Sequence, residues 1–313
     1  MLHALREWSD EQGRLSYRDF IETALYAPAI GYYRRPAERV GTKPQADFYT
    51  SSSLGPIFAD LITAAAVKLL PEAPEHYTFV EIAAEPETGL LHQREHPFAD
   101  YRPLRLGSEL KIPSKSVVFA NEWLDAQAFD RVVFREGSWR ERGVQIRGDG
   151  QLKEVELGPW PHAYPALPNP APEGYELDLP LVAVEALRAV AAQEWQGLFI
   201  TCDYGLLWEA MAYERPAGTA RTYTHHRQSN DLLAQPGEQD ITCHVCWDWL
   251  QDALEQHRFT TRLERQEAFL VQHGTAAIER AMQDNRLKRG ALQELLHPQY
   301  FGSKFQVLWG RRD

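Results

Sequence analysis

Asn121, Glu122 and Asp125 follow directly on the apolar run Val117–Ala120, which reads as a buried strand. Carboxylates placed just past the carboxyl end of a strand can hold a cation, and pairing with a guanidinium is bidentate and strong. The same residues can equally cap a strand-to-helix turn. Asp203 and Tyr204 end a second run, Leu198–Cys202, where they can form the wall of a cleft or touch what it holds. Glu81 lies in a third run, Phe79–Ile82, and the turn after it reads Ala83-Ala84-Glu85-Pro86-Glu87. Nucleotide-binding α/β proteins carry glycines in such a turn, so that backbone can approach the ligand closely. Here the bland reading is a turn that caps a helix, with Glu85 and Glu87 favouring its first turn.

Two further groups invite chemistry. His226, Asp240 and His244 could serve as bases, although imidazoles are more often hydrogen-bonded structural groups. Cys243-His244-Val245-Cys246 has the spacing of half a zinc site. A structural zinc needs four ligands, and no second Cys-x-x-Cys exists, so no metal is expected.

The elements that would position these residues alternate. A helix capped at Ser16-Tyr17-Arg18-Asp19 runs through Phe20, Ile21, Ala24 and Leu25 and stops before Pro28. A second runs from about Leu54 to Leu70. Buried parallel strands at 79–82, 117–120 and 198–202 are separated or followed by helical stretches, among them 180–193, which suggests a doubly wound sheet. Val132–Phe134 and Trp139–Ile146 suggest antiparallel hairpins, and Gly158 to Gly174 is Pro-rich. Helices near 247–257 and 276–289 and a last strand at Lys304–Trp309 complete the chain. The predicted organisation is a helical N-terminal region, 1–75, packed on an α/β core, 76–313, with a β-rich and Pro-rich insertion near 131–174.

Bulk properties narrow the classes. A chain of 313 residues with 44% hydrophobic and 25% charged residues has ample core. A formal net charge of −11 argues against a nucleic-acid binder and leaves a protein partner with a basic surface open. No apolar run approaches the roughly 18 residues of a membrane span, the start is no signal peptide, and three cysteines make no disulfide framework. The expected address is the cytoplasm.

Separated motifs then converge on one family. They are Ala46-Asp47-Phe48-Tyr49-Thr50-Ser51, Ala120-Asn121-Glu122-Trp123-Leu124-Asp125-Ala126 and Asp203-Tyr204-Gly205, followed by Gly218-Thr219 with Tyr223 and His226. Pro236-Gly237-Glu238-Gln239-Asp240, Gln266–Leu270 and Phe301-Gly302-Ser303-Lys304 come last, and Tyr26-Ala27-Pro28 with Gly31-Tyr32-Tyr33 fits at the start. In this order they resemble the MidA family of S-adenosylmethionine-dependent methyltransferases, over about residues 15–310. That family includes the mitochondrial complex I assembly factor that methylates an arginine of a partner subunit. The resemblance implies a class I, Rossmann-like fold: a mostly parallel sheet with an antiparallel strand near the C-terminus. It also implies S-adenosylmethionine beyond the strand ends, near Glu81, Ala83, Glu85, Asp203 and Tyr204. Asn121, Glu122 and Asp125 would orient the acceptor guanidinium.

The chain departs from that family in two places. Ala83, Glu85 and Glu87 stand at its three glycine positions. Only 41 positions separate Glu81 from Glu122, too few for three crossovers when one βαβ unit takes roughly 30 residues. One or two elements are therefore expected to be missing; Leu104–Glu109 could be the second strand with Glu109 as its ribose-binding acid, but reads better as the third strand, with the second strand and its acid lost. Ser52 and Ser53 also replace the proline and acid that usually follow the aromatic-Thr-Ser motif. Two functions follow from these facts: a methyltransferase acting on a partner's arginine, or a catalytically silent relative that binds proteins.

Overall fold

The computed structural model describes residues 1–35, 55–85, 89–224, 227–283, 286–297 and 304–313. They form two compact units, each drawn from three stretches of chain. The first comprises Met1–Tyr49, Asp125–Glu185 and Leu206–Cys246; the second comprises Thr50–Leu124, Ala186–Gly205 and Trp247–Asp313.

The second unit is built on a six-stranded sheet of β2 (Thr78–Ile82), β3 (Asp100–Leu104), β4 (Lys115–Asn121), β9 (Gln196–Asp203), β15 (Thr260–Arg265) and β16 (Gln306–Arg312). Their order is β15-β16-β9-β4-β2-β3. β3, β2, β4 and β9 run parallel, while β16 is antiparallel to both β9 and β15. The mostly parallel sheet with antiparallel C-terminal strands is the class I arrangement that the sequence implies.

Alternation along the strands sorts the side chains. Phe79, Val117, Phe119, Leu198, Ile200, Cys202 and Val307 share one face and one core. Against them pack α3 (Pro56–Leu69), α7 (Gln266–His273), α8 (Thr275–Gln283) and α9 (Arg286–Leu296). α3 starts with Gly55 at φ 71° and proline in its first turn, then buries Phe58, Leu61, Ile62 and Ala65 at helical spacing. On the opposite face, Gln306 accepts a hydrogen bond from the Trp247 indole at the head of α6 (Trp247–Glu255).

The expectation for the segment 83–109 is corrected in two ways. No helix forms among the described residues between β2 and β3; residues 90–93 make turns, with His92 N–H donating to Gly89 and Arg94 N–H to Leu91. Leu90, Leu91 and Phe98 are buried in the core, which holds this stretch against the sheet. The strand also lies earlier than predicted. It spans Asp100–Leu104, pairs directly with β2 and so takes the second-strand place, whereas Arg105–Ser108 turn back on themselves. Among the described residues, no strand lies beyond β3.

In the first unit, β1 (Arg14–Ser16), β5 (Asp130–Arg135), β6 (Ser138–Ile146), β7 (Leu152–Pro159) and β8 (Glu176–Leu179) form one antiparallel sheet. The predicted hairpin is β5–β6, in register from Val132 with Glu141 to Arg135 with Ser138. α1 (Leu2–Glu7) and α2 (Tyr17–Tyr26) contribute Leu5, Phe20, Ile21 and Leu25 to its core. Ser16 caps α2 by accepting from Asp19 N–H at 3.0 Å. The unit also contains α5 (Trp208–Glu214), β14 (Val245–Cys246) and a small sheet of β11 (Arg221–Thr224), β12 (Arg227–Ser229) and β13 (Asp240–Thr242). α4 (Leu181–Ala191) and β10 (Gly205–Leu206) lie where the chain passes between units. No helix among the described residues is long and apolar enough to cross a membrane.

Candidate functional site

Register brings the strand-end residues of the second unit to one edge of the sheet. Ile82 stands opposite both Leu104 and Ala120, and Asn121 stands opposite Cys202. Ala83, Arg105, Asn121 and Cys202 therefore leave the sheet at the same level, with Asp203 one residue beyond, where open α/β sheets bind ligands.

Glu81 faces the helix-packed side, with about 9% of its surface exposed. Its Oε2 accepts the Leu90 amide at 2.7 Å and a short bond from the Tyr101 hydroxyl. Burial raises its pKa to about 7, against the opposing pull of those two hydrogen bonds, and the nearby Glu85 adds to the rise. Gly89 makes this possible: a Cβ there would collide with the Tyr101 hydroxyl and press on Glu81 Oε2. Sequence reasoning selected Glu81 but missed Tyr101, Gly89 and Leu90, because the pairing of Phe79 with Tyr101 is a matter of register.

Ala83 adopts φ 58°, the left-handed conformation that a glycine would take freely. The backbone of the family's turn is thus kept without its glycine. Ala84 N–H donates to the Leu104 carbonyl at 3.1 Å, which folds the turn across the end of β3. Ala83 and Glu85 are exposed.

At the end of β4, Asn121 Nδ2 donates to Glu122 Oε1 at 2.9 Å, while Asn121 Oδ1 is buried without a hydrogen-bond partner. Glu122 sits at φ 48°, and its N–H continues the ladder to the Cys202 carbonyl. Asp203 is fully buried. One oxygen accepts Leu124 N–H at 3.0 Å and the other accepts Tyr204 N–H at 2.8 Å. It therefore ties the turn after β4 to the end of β9, and the Tyr204 ring lies against Phe305 at 4.1 Å.

Asp125 belongs to the first unit, three residues beyond Glu122. It is buried, and its carbonyl accepts Cys243 N–H at 3.2 Å. Tyr26 donates to the Ala126 carbonyl, Tyr33 donates to Asp240, and the two rings stack with centroids 5.4 Å apart. Burial, reinforced by the Asp240 charge, pushes both phenols well above their usual pKa. His244 is pushed down to about 4 by burial and by Arg215 and Arg221, so it is neutral at ordinary pH. Its N–H rests on the Thr219 hydroxyl at 3.2 Å. His226, Glu87, Ala46–Ser51 and Phe301–Ser303 lie outside the described residues. The three cysteines are buried, and no metal-ligating cluster occurs among the described residues.

The β2 end of this sheet departs from the glycine turn that the resemblance implies for S-adenosylmethionine. The glycine conformation survives at Ala83, but a Cβ and the Glu85 carboxylate now border it. No helix N-terminus follows among the described residues to meet an anionic group. Arg105, not an acid, follows β3, and Glu81 is already hydrogen-bonded from within the chain.

Comparison with known proteins supports the fold and fixes the family. A Burkholderia thailandensis protein solved bound to S-adenosyl-homocysteine is similar over 96% of this chain and 88% of that one, with a TM-score of 0.82 and 24% identity. A native crystal structure of an uncharacterized protein from the same organism covers the same shares at a TM-score of 0.79 and 24% identity. No curated protein matches. Residues 55–264 match the family described as "Putative S-adenosyl-L-methionine-dependent methyltransferase". That match spans two thirds of the chain, and the protein therefore belongs to this family of S-adenosylmethionine-dependent methyltransferases.

Proposed function

We propose that this chain is a MidA-type relative in which protein binding has replaced methyl transfer, acting in the cytoplasm on a partner with a basic or arginine-bearing surface. The rebuilt end of β2 carries the reading. A Cβ stands at Ala83 in place of glycine, the described residues between β2 and β3 make turns, and Ala84 N–H donates to the Leu104 carbonyl at the end of β3. The net charge of −11 favours a cationic partner.

A second reading keeps the enzyme: methyl transfer from S-adenosylmethionine to a partner's arginine, with Asn121, Glu122 and Asp125 orienting the guanidinium. Two observations favour it. The Burkholderia thailandensis structure holds S-adenosyl-homocysteine on the same fold. The unpartnered Oδ1 of Asn121 leaves an acceptor ready at the strand ends.

Calorimetric titration with S-adenosyl-homocysteine, paired with transfer of labelled methyl groups to arginine-rich proteins, separates the two. The silent reading expects a flat titration by folded protein and no label. Saturable binding with label on arginine overturns it. In that case Glu122→Gln and Asp125→Asn should abolish transfer while cofactor binding persists. A real ligand at about a hundred times its dissociation constant would stabilise the fold by roughly 2.7 kcal/mol, readable as a melting shift.

A further inference from the structure

At the β2 end of the site, the Glu81 carboxylate takes its hydrogen bonds from inside the chain. Tyr101 stands on β3 opposite Phe79, two residues before Glu81, yet its hydroxyl reaches the Glu81 carboxylate. The ring is held between Phe79 and His96, with centroids 6.4 and 6.3 Å away. The Leu90 amide converges on the same carboxylate oxygen, and Gly89 brings backbone so close that a methyl group in place of its hydrogen would strike the phenol.

We infer that the Tyr101–Glu81 contact is an autoinhibitory lock: Tyr101 acts as an internal ligand that closes the end of β2 to any diffusible molecule. Such a molecule must offer its own donor or positive charge to Glu81, and to do so it must displace the hydroxyl and lift residues 89–91. Removing the hydroxyl leaves a buried acceptor with one of its two donors, a state that favours an incoming donor. The inference borrows from the preceding reading only the position of the family's ligand.

The test compares S-adenosyl-homocysteine binding by wild type, Tyr101→Phe and Tyr101→Ala, with circular dichroism and melting temperature confirming that each is folded. Tyr101→Phe keeps the ring packing and covers the case in which alanine unfolds the crossover. The expected result is binding at least tenfold tighter in the variants than in wild type. Folded variants that bind no tighter than wild type overturn the lock, and the silent function would survive that outcome. If wild type binds and transfers methyl groups while the variants bind tenfold tighter still, the lock stands and the silent function falls.

Discussion

Glu81 couples the candidate site to pH. Its pKa in the folded protein is about 7, above the ordinary carboxyl value of 4.5, so the folded state holds the extra proton between those limits. The stability this group allows is therefore greatest below pH 4.5 and declines as pH rises to 7, by about 3 kcal/mol at 1.36 kcal/mol per unit. Glu81→Gln should lack that decline. Chemical denaturation at half-unit steps from pH 4.5 to 8 would show the wild-type curve falling relative to the variant; parallel curves would mean that Glu81 titrates normally. Ala83 poses a conformational question. A non-glycine residue in the left-handed region costs roughly 1–2 kcal/mol, and glycine returns about 0.5–1 kcal/mol of that through the unfolded chain. Ala83→Gly should therefore raise stability by no more than about 1 kcal/mol, measured by urea unfolding; a loss would show that the methyl group packs usefully.

At the scale of elements, the turn at Gly218-Thr219 shows why a motif read along the chain also serves the fold. Asp178 on β8 accepts Thr219 N–H at 2.6 Å and Ala220 N–H at 2.7 Å, and Arg131 on β5 lies 3.3 Å from its other oxygen. Gly218 approaches the carboxylate so closely that no side chain fits. Arg131 also meets Glu176 and Glu154, and Arg142 bridges the same two acids. Asp178→Ala would strand two amides and weaken the pairing of a buried guanidinium, at a cost of about 3–5 kcal/mol. The expected outcome is a melting transition of the first unit well below that of wild type, with Asp178→Asn between the two.

Strong periodicity made most elements legible. The strands at 78–82, 115–121 and 196–203 and the helix Pro56–Leu69 lie where their apolar spacing puts them. Gly31, within a motif read from the sequence, proves to be a close-approach glycine, since a Cβ would lie 2.5 Å from Ala27 N and 2.7 Å from Leu25 O. The crossover was not legible. Leu104-Arg105-Leu106 alternates like a strand, but pairing with β2 is decided by where Phe98 and Tyr101 can reach the core. Of the site, the strand-end acids could be named in advance, whereas their partners depend on register. Nothing in the spacing of Tyr101 and Glu81 announces that they touch.

Across the whole molecule, the C-terminal strand is fastened by one guanidinium. Arg312 donates to the backbone carbonyls of Ala191, Gln193, Trp195 and His257, and lies over the rings of Trp195 and Phe259 at 5.1 and 4.6 Å. Its neighbour Arg311 pairs with Asp313 at 3.1 Å on the surface. Arg312→Ala should cost the second unit about 3 kcal/mol, as four part-buried carbonyls lose a charged donor, while Arg311→Ala should fall within about 0.5 kcal/mol of wild type. Thermal unfolding of both variants checks the contrast, and equal losses would refute it.

The two units exchange the chain five times, at 49/50, 124/125, 185/186, 205/206 and 246/247. Neither can be inherited, excised or expressed as a contiguous piece. Lineages carrying this topology can therefore change length only between crossings, where an excision stays within one unit. The shortened passage from β2 to β3 lies wholly inside the second unit. A change of length there leaves β3, β4, β9, β15 and β16 able to pair in one sheet with β2.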